Sequence, residues 1–101
     1  MTYEVIFSTE AEDDLLSLFD YITDNSGRLR AENYVERLET SCMSLAVFPY
    51  RGVPRDDLAP GIRTLSFEGR AVVAYCVEAD TVRVLRVFYA GQDFESELSR
   101  N

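Results

Sequence analysis

An α+β fold is predicted, in the order β-α-α-β-β-β, with a helical hairpin packed on a small, mainly antiparallel sheet. Two stretches repeat apolar residues at helical spacing and are separated by a short polar turn. Three runs rich in β-formers follow, joined by connections short enough for hairpins. One more such run opens the chain. A helical hairpin covering one face of a small sheet is the packing that buries both apolar surfaces.

Tyr3-Glu4-Val5-Ile6-Phe7 reads as the first strand. Thr9 with Glu12 then fits a capping box, and Glu10, Asp13 and Asp14 suit the positive end of a helix. That helix is expected to run to about Thr23, with Ala11, Leu15, Leu18 and Ile22 on one face, and Asp24-Asn25-Ser26-Gly27 ends it. A second helix is expected from about Leu29 to Val47, with Ala31, Tyr34, Val35, Leu38, Cys42 and Leu45 as its stripe and Phe48-Pro49 as its stop. The proline- and glycine-rich segment from Pro49 to Gly61 is a loop crossing to the sheet. Three strands follow over about Ile62–Phe67, Ala71–Val77 and Val82–Tyr89, and Asp93 to Leu98 form a short helix or frayed tail.

A chain of 101 residues with 47% hydrophobic content supports one domain spanning 1–101. No apolar run approaches the roughly 20 residues of a membrane span. Met1-Thr2-Tyr3-Glu4 lacks the basic-then-apolar pattern of a secretory signal, so a cytoplasmic location is expected. The net charge is −8, from 18 acids against 10 arginines, with neither lysine nor histidine. That balance argues against an electrostatic grip on nucleic acid as the main binding mode. It also removes the commonest general base and Schiff-base chemistry. Cys42 and Cys76 stand alone in apolar stretches and are expected to be buried thiols, not zinc ligands. The run Glu10-Ala11-Glu12-Asp13-Asp14 points its acids in different directions around a helix, which suits a solvated first turn better than a metal site. No cofactor, metal or catalytic residue is expected.

The last strand holds the clearest anomaly. Strict alternation along Val82-Arg83-Val84-Leu85-Arg86-Val87-Phe88-Tyr89 sets Val82, Val84, Arg86 and Phe88 on one face. Arg86 there needs a partner, with Glu4, Glu68 and Asp93 as candidates, or opens onto a functional surface. Tyr75 shares a strand face with Ala71, Val73 and Val77, which suits core packing with a hydrogen-bonded hydroxyl. Tyr89, Gln92 and Asp93 cluster at the strand exit, where Asp93 is placed to cap the final short helix. Arg63 alternates with Ile62 and Thr64 and reads as an edge-strand charge or a contact residue. Leu16, Met43 and Val47 fall off the apolar stripes and suggest a docking patch for a partner helix or strand. The acid-rich hairpin predicts basic residues on that partner.

These elements, in this order, resemble the ParE toxins of the RelE/ParE superfamily, and the resemblance covers almost the whole chain. Ser8-Thr9-Glu10-Ala11-Glu12-Asp13-Asp14-Leu15 resembles the family's Ser-Pro-x-Ala-x-x-Asp-Leu opening of the first helix, and Tyr21-Ile22 matches its Tyr-Ile. Ala31 and Leu38 sit in the second helix as the family places them. Leu45-Ala46-Val47-Phe48-Pro49-Tyr50-Arg51-Gly52 is similar to the Leu-x-x-x-Pro-x-x-Gly that follows. Gly61-Ile62-Arg63, Val73-Ala74-Tyr75, Leu85-Arg86-Val87 and Gln92-Asp93 complete the series. Tyr89-Ala90-Gly91-Gln92-Asp93 departs from the frequent His-Gly-x-x-Asp ending by lacking the histidine and an intervening basic residue. The acidic net charge is also unusual for the family.

The resemblance implies a toxin of a bacterial toxin–antitoxin pair, neutralised by a ParD-like antitoxin and inhibiting DNA gyrase by binding, with operator DNA reached only through the antitoxin. It marks Arg63, Tyr75, Arg86, Tyr89, Gln92 and Asp93 as toxicity or target-binding candidates. Leu16, Met43, Val47 and again Arg63 are the antitoxin-binding candidates. Two alternatives stay open. One is a ribosome-dependent RNA endonuclease of the RelE type, which needs Arg63, Tyr75 and Arg86 to converge on one groove. The other is a non-toxic homologue that retains antitoxin binding.

Overall fold

A computed structural model of the chain describes residues 2–89 and 91–99. Strand β1 (Glu4–Phe7) leads into helices α1 (Thr9–Ser26) and α2 (Arg28–Met43). A 3-10 turn over Ser44–Ala46 follows, then β2 (Val53–Pro54), β3 (Arg63–Phe67), β4 (Ala71–Glu78), β5 (Thr81–Tyr89) and α3 (Phe94–Ser99). The predicted order holds, with the addition of β2, a two-residue strand inside the expected loop.

The strands form one sheet in the order β1-β5-β4-β3-β2. β1 runs parallel to β5, and every other pairing is antiparallel. The α1–α2 hairpin carries the chain from β1 at one edge of the sheet towards β2 at the other. Its apolar stripes pack onto one sheet face: Ala11, Leu18 and Ile22 from α1 and Ala31, Tyr34, Leu38 and Cys42 from α2 are buried against Leu65, Val73, Tyr75, Val82, Val84 and Val87. Leu15 and Val35 pack against this core while staying partly exposed.

The start of α1 differs from the capping-box expectation. Ser8, not Thr9, is the cap: its backbone is extended, and its Oγ accepts a hydrogen bond from the Ala11 N–H at 3.0 Å. The same hydroxyl donates to the Leu85 carbonyl at 2.8 Å, so one serine both starts the helix and docks it on β5. α1 extends to Ser26, and α2 begins directly after Gly27, whose φ of 94° is a glycine conformation.

A β-bulge breaks the alternation of β5. Tyr75 pairs with Val84, but Ala74 pairs with Arg86, so Leu85 is left without a partner. An extra residue shifts every later side chain to the opposite face. Val82 and Val84 face the hairpin, and beyond the bulge Val87 and Tyr89 do so, cross-strand from Val73 and Ala71. Arg86 and Phe88 turn to the other face, opposite Ala74 and Val72. The expected single face of Val82, Val84, Arg86 and Phe88 is thus corrected. Phe88 is still 2% exposed, because α3 lies on that face and sets Phe94 6.1 Å from it, ring centroid to ring centroid.

The partner of Arg86 is Asp14 of α1, not Glu4, Glu68 or Asp93. The guanidinium donates from Nε at 2.8 Å and from a terminal nitrogen at 3.1 Å, and the same carboxylate accepts the Val87 N–H at 2.8 Å. The guanidinium also lies over the Phe88 ring at 4.9 Å. Side-chain hydrogen bonding to Asp14, reinforced by its charge, raises the Arg86 pKa further. Cys42 is fully buried, as expected, and burial pushes its thiol up to about 12. Cys76 corrects the expectation, being only half-buried, with its thiol raised by burial and then by Glu78.

Asp14→Ala strands a guanidinium and an N–H donor, and is expected to cost about 2–4 kcal/mol in urea denaturation. Adding Arg86→Met should recover part of that loss, since the charge is then gone but the Val87 N–H stays unmatched. Alkylation of the native chain at neutral pH should modify Cys76 and spare Cys42 until the chain is denatured, as read by peptide mass spectrometry.

Candidate interaction surface

Arg63 and Tyr75 meet at one end of the sheet. They are cross-strand partners on β3 and β4, on the face toward the hairpin. Tyr75 is fully buried, and its hydroxyl accepts the Gly52 N–H at 2.8 Å, bearing out the core reading of this residue. Burial raises its pKa, so the hydroxyl stays protonated at neutral pH. Arg63 is not an edge-strand charge: β2 covers it, and its guanidinium donates to the carbonyls of Tyr50 at 3.1 Å and Gly52 at 2.8 Å. It also lies over the Tyr50 ring at 5.0 Å. Arg63 and Tyr75 together thus hold the turn Tyr50-Arg51-Gly52 against the sheet.

Gly52 is obligatory there. A Cβ would stand 2.6 Å from the Tyr75 hydroxyl and 2.9 Å from the Thr64 carbonyl oxygen. The consequence of this tight turn is that its neighbours point outward. Val47, Phe48, Tyr50 and Val53 are 61%, 64%, 57% and 61% exposed, and Met43 at the end of α2 is half-exposed. Val47, Phe48, Pro49, Tyr50 and Arg51 line one shallow depression. The structure therefore places Met43 and Val47 at the surface as expected, and adds Phe48, Tyr50 and Val53, which the helical spacing argument missed. Their signal lay in the loop itself, where aromatic residues follow a helix stop. Leu16 is exposed on α1 but does not line this depression.

The edge beside this surface is open. β2 pairs only with Arg63 and Thr64, so the outer edge of β3 from Leu65 to Phe67 has no strand beside it among the described residues. An open edge next to exposed apolar side chains suits an added strand or helix of a partner.

Arg86 stands apart from Arg63 and Tyr75. Its pairing opposite Ala74 puts it on the other sheet face, committed to Asp14. Tyr89 and Gln92 line a groove of about 370 Å³ with Asp14, Leu18 and Tyr21. Within it, the Gln92 Oε1 accepts the Tyr89 N–H at 2.8 Å. Asp93 caps α3 by accepting the Ser96 N–H at 3.2 Å, as expected from its position. Ala90, in the same exit turn, lies outside the described residues. The candidates thus divide among three places: Arg63 and Tyr75 at the Gly52 turn, Arg86 on the α3 side, and Tyr89, Gln92 and Asp93 at the strand exit. Asp14, which joins the last two, was read as a helix-dipole residue and part of the family's helix opening, not as the partner of Arg86. Among the described residues, no group of His, Cys, Asp or Glu is arranged to hold a metal ion, and no helix is long and apolar enough to cross a membrane.

Gly52→Ala should destabilise the chain by about 1–3 kcal/mol through overpacking against Tyr75. Tyr75→Phe should cost about 1–3 kcal/mol by leaving the Gly52 N–H unmatched. Both are read as a lower urea midpoint at unchanged slope.

The fold has known counterparts. Toxin ParE3 of Caulobacter vibrioides is 29% identical over 96 residues, covering 95% of each chain. A chain of the chromosomal ParDE toxin–antitoxin system from P. aeruginosa shares the fold at a TM-score of 0.78, with 21% identity over 88% of this chain and 97% of that one. The toxin–antitoxin complex RelBE2 from Mycobacterium tuberculosis matches at a TM-score of 0.65 and 20% identity, over 91% of this chain and 95% of its own. A mutant of the E. coli toxin RelE in the free state matches at 0.67 and 15% identity, over 98% and 95%. The family described as the ParE toxin of the type II toxin–antitoxin system parDE matches residues 5–94. With nearly the whole chain inside that match, the protein belongs to the ParE toxin family of the RelE/ParE superfamily.

Proposed function

We propose that this ParE-family toxin inhibits DNA gyrase by binding it, in the cytoplasm, and is held inert by a ParD-like antitoxin. The observation that carries the reading is the separation of Arg63 and Tyr75 from Arg86. An RNA-cleaving centre needs them around one groove, and they occupy opposite faces of the sheet. Each is also occupied internally: Tyr75 by Gly52, Arg63 by two carbonyls, and Arg86 by Asp14. A net charge of −8 opposes an RNA substrate further. What remains is surface for protein partners.

On this reading the antitoxin covers the depression around Val47 and Phe48 and the open edge of β3, with basic residues facing the acidic hairpin. The exit groove at Tyr89 and Gln92 and the surface around α3 are left for the target. Operator DNA is reached through the antitoxin alone.

Induction of the chain without antitoxin should produce an early DNA-damage response and filamentation while protein synthesis continues. Arrested translation over intact DNA would instead assign RNA cleavage, and normal growth with folded protein present would leave an antitoxin-binding homologue without toxicity. Val47→Glu should change stability by no more than about 0.5 kcal/mol, since the side chain is exposed. In a pull-down titration the same variant should weaken antitoxin binding by about tenfold or more.

A further inference from the structure

The ten arginines are the chain's only basic side chains, and most of them are engaged. Arg28, Arg37, Arg55, Arg83 and Arg86 form ion pairs, and Arg63 serves backbone carbonyls. Arg30 and Arg70 have no ion-pair partner among the described residues, and both line the same cavity of about 480 Å³. It lies between the tip of the helical hairpin and the β3–β4 turn. Arg37 and Asn33 line it too, and Glu68 is its one acid, already held by Arg37 through two hydrogen bonds of 2.9 Å.

One residue lining the cavity carries an unsatisfied donor. Tyr34 lines it and is 8% exposed, and its hydroxyl is buried without a hydrogen-bond partner among the described residues. The ring cannot swing away to find one. It is wedged edge-on between Phe67 at 5.4 Å and Tyr89 at 5.6 Å, with the Arg37 guanidinium over its face at 5.5 Å. Burial pushes this phenol up to about 12, so it keeps its proton and offers it to an acceptor. A buried hydroxyl left unmatched is destabilising, and an acceptor oxygen brought to it by a ligand relieves that.

We propose that this cavity binds a terminal phosphate group, with Arg30 and Arg70 as the charged clamp and the Tyr34 hydroxyl donating to one phosphate oxygen. Two free guanidiniums and a fixed hydroxyl match a compact dianion. They match an extended nucleic-acid backbone poorly, because each phosphodiester carries a single charge and the rest of the chain repels a polyanion. The site is independent of the gyrase reading and is present whether or not that reading stands.

The test is titration of the full chain with inorganic phosphate near neutral pH, against sodium chloride at matched ionic strength, followed by NMR of the arginine and tyrosine side chains. Saturable shifts at Arg30, Arg70 and Tyr34 are expected. Arg30→Gln and Arg70→Gln, both at exposed positions, should each weaken binding by about tenfold or more. Tyr34→Phe should melt no lower than the parent without phosphate, because it removes an unmatched hydroxyl, yet bind phosphate more weakly. General salting-in or salting-out acts alike on parent and variants, so an equal response in all of them would overturn the site. Absence of saturation would overturn it as well. So would a short oligonucleotide without terminal phosphates that binds more tightly than phosphate itself, which would assign the cavity to a nucleic-acid backbone.

Discussion

One carboxylate, that of Asp14, ties the helical layer to the sheet. It accepts two hydrogen bonds from Arg86 and one from the Val87 backbone, all between 2.8 and 3.1 Å. The need for it comes from the geometry of β5. β1 covers that strand only from Thr81 to Val84, and past that point the strand edge would stand open. Ser8 takes over first, its N–H donating to the Val84 carbonyl and its hydroxyl to the Leu85 carbonyl. Asp14 then takes the Val87 N–H, and Gln92 takes that of Tyr89. Side chains and a helix terminus thus continue where the strand stops, and an edge that invites pairing with other chains is closed. Arg86 is held in the same act, so its charge is a consequence of edge closure as much as a feature of the α3 face.

The contrast with the opposite edge is instructive. There, β2 is two residues long and leaves Leu65 to Phe67 uncovered. The turn that feeds β2 is held by Arg63 and Tyr75 and allows nothing larger than glycine at position 52. Its rigidity is what pushes Phe48, Tyr50 and Val53 outward. Residues that looked like functional groups therefore act one step back, by fixing a surface made of their neighbours. Net negative charge on the hairpin and a nearby apolar edge are the features that a basic, amphipathic partner would complement.

Much of this was legible in the residues. The apolar stripes of Ala11–Leu18–Ile22 and Ala31–Leu38–Cys42 mark buried faces because helical spacing leaves no other place for them. The hairpins β3–β4 and β4–β5 follow from turn lengths alone. The misses share a cause. The bulge at Leu85 carries no glycine or proline to announce it, and one extra residue reversed the assignment of Arg86 and Phe88. The partnership of Arg86 with Asp14 spans most of the chain, and no local pattern encodes it. β2 is too short to show alternation. Phe88 was placed on the face of Val82 and Val84, but it lies on the other one and is buried there beside Phe94 of α3.

The parallel pairing of β1 with β5 has a consequence for how the protein comes into being. A chain is synthesised from its N-terminus, and elements made early usually fold early. Here the strand made first has its partner in the strand made last. The hairpin α1–α2 can form while the rest is being made, but its sheet-facing stripe has nothing complete to rest on until β5 emerges. Such distant pairings delay folding, because the chain between them must be brought together before any contact rewards it. An interrupted or truncated polypeptide would retain helices and hairpins without a closed edge, an anchored Arg86 or a finished surface. The sheet edge, the anchored Arg86 and the surfaces they support are completed only once β5 has been made.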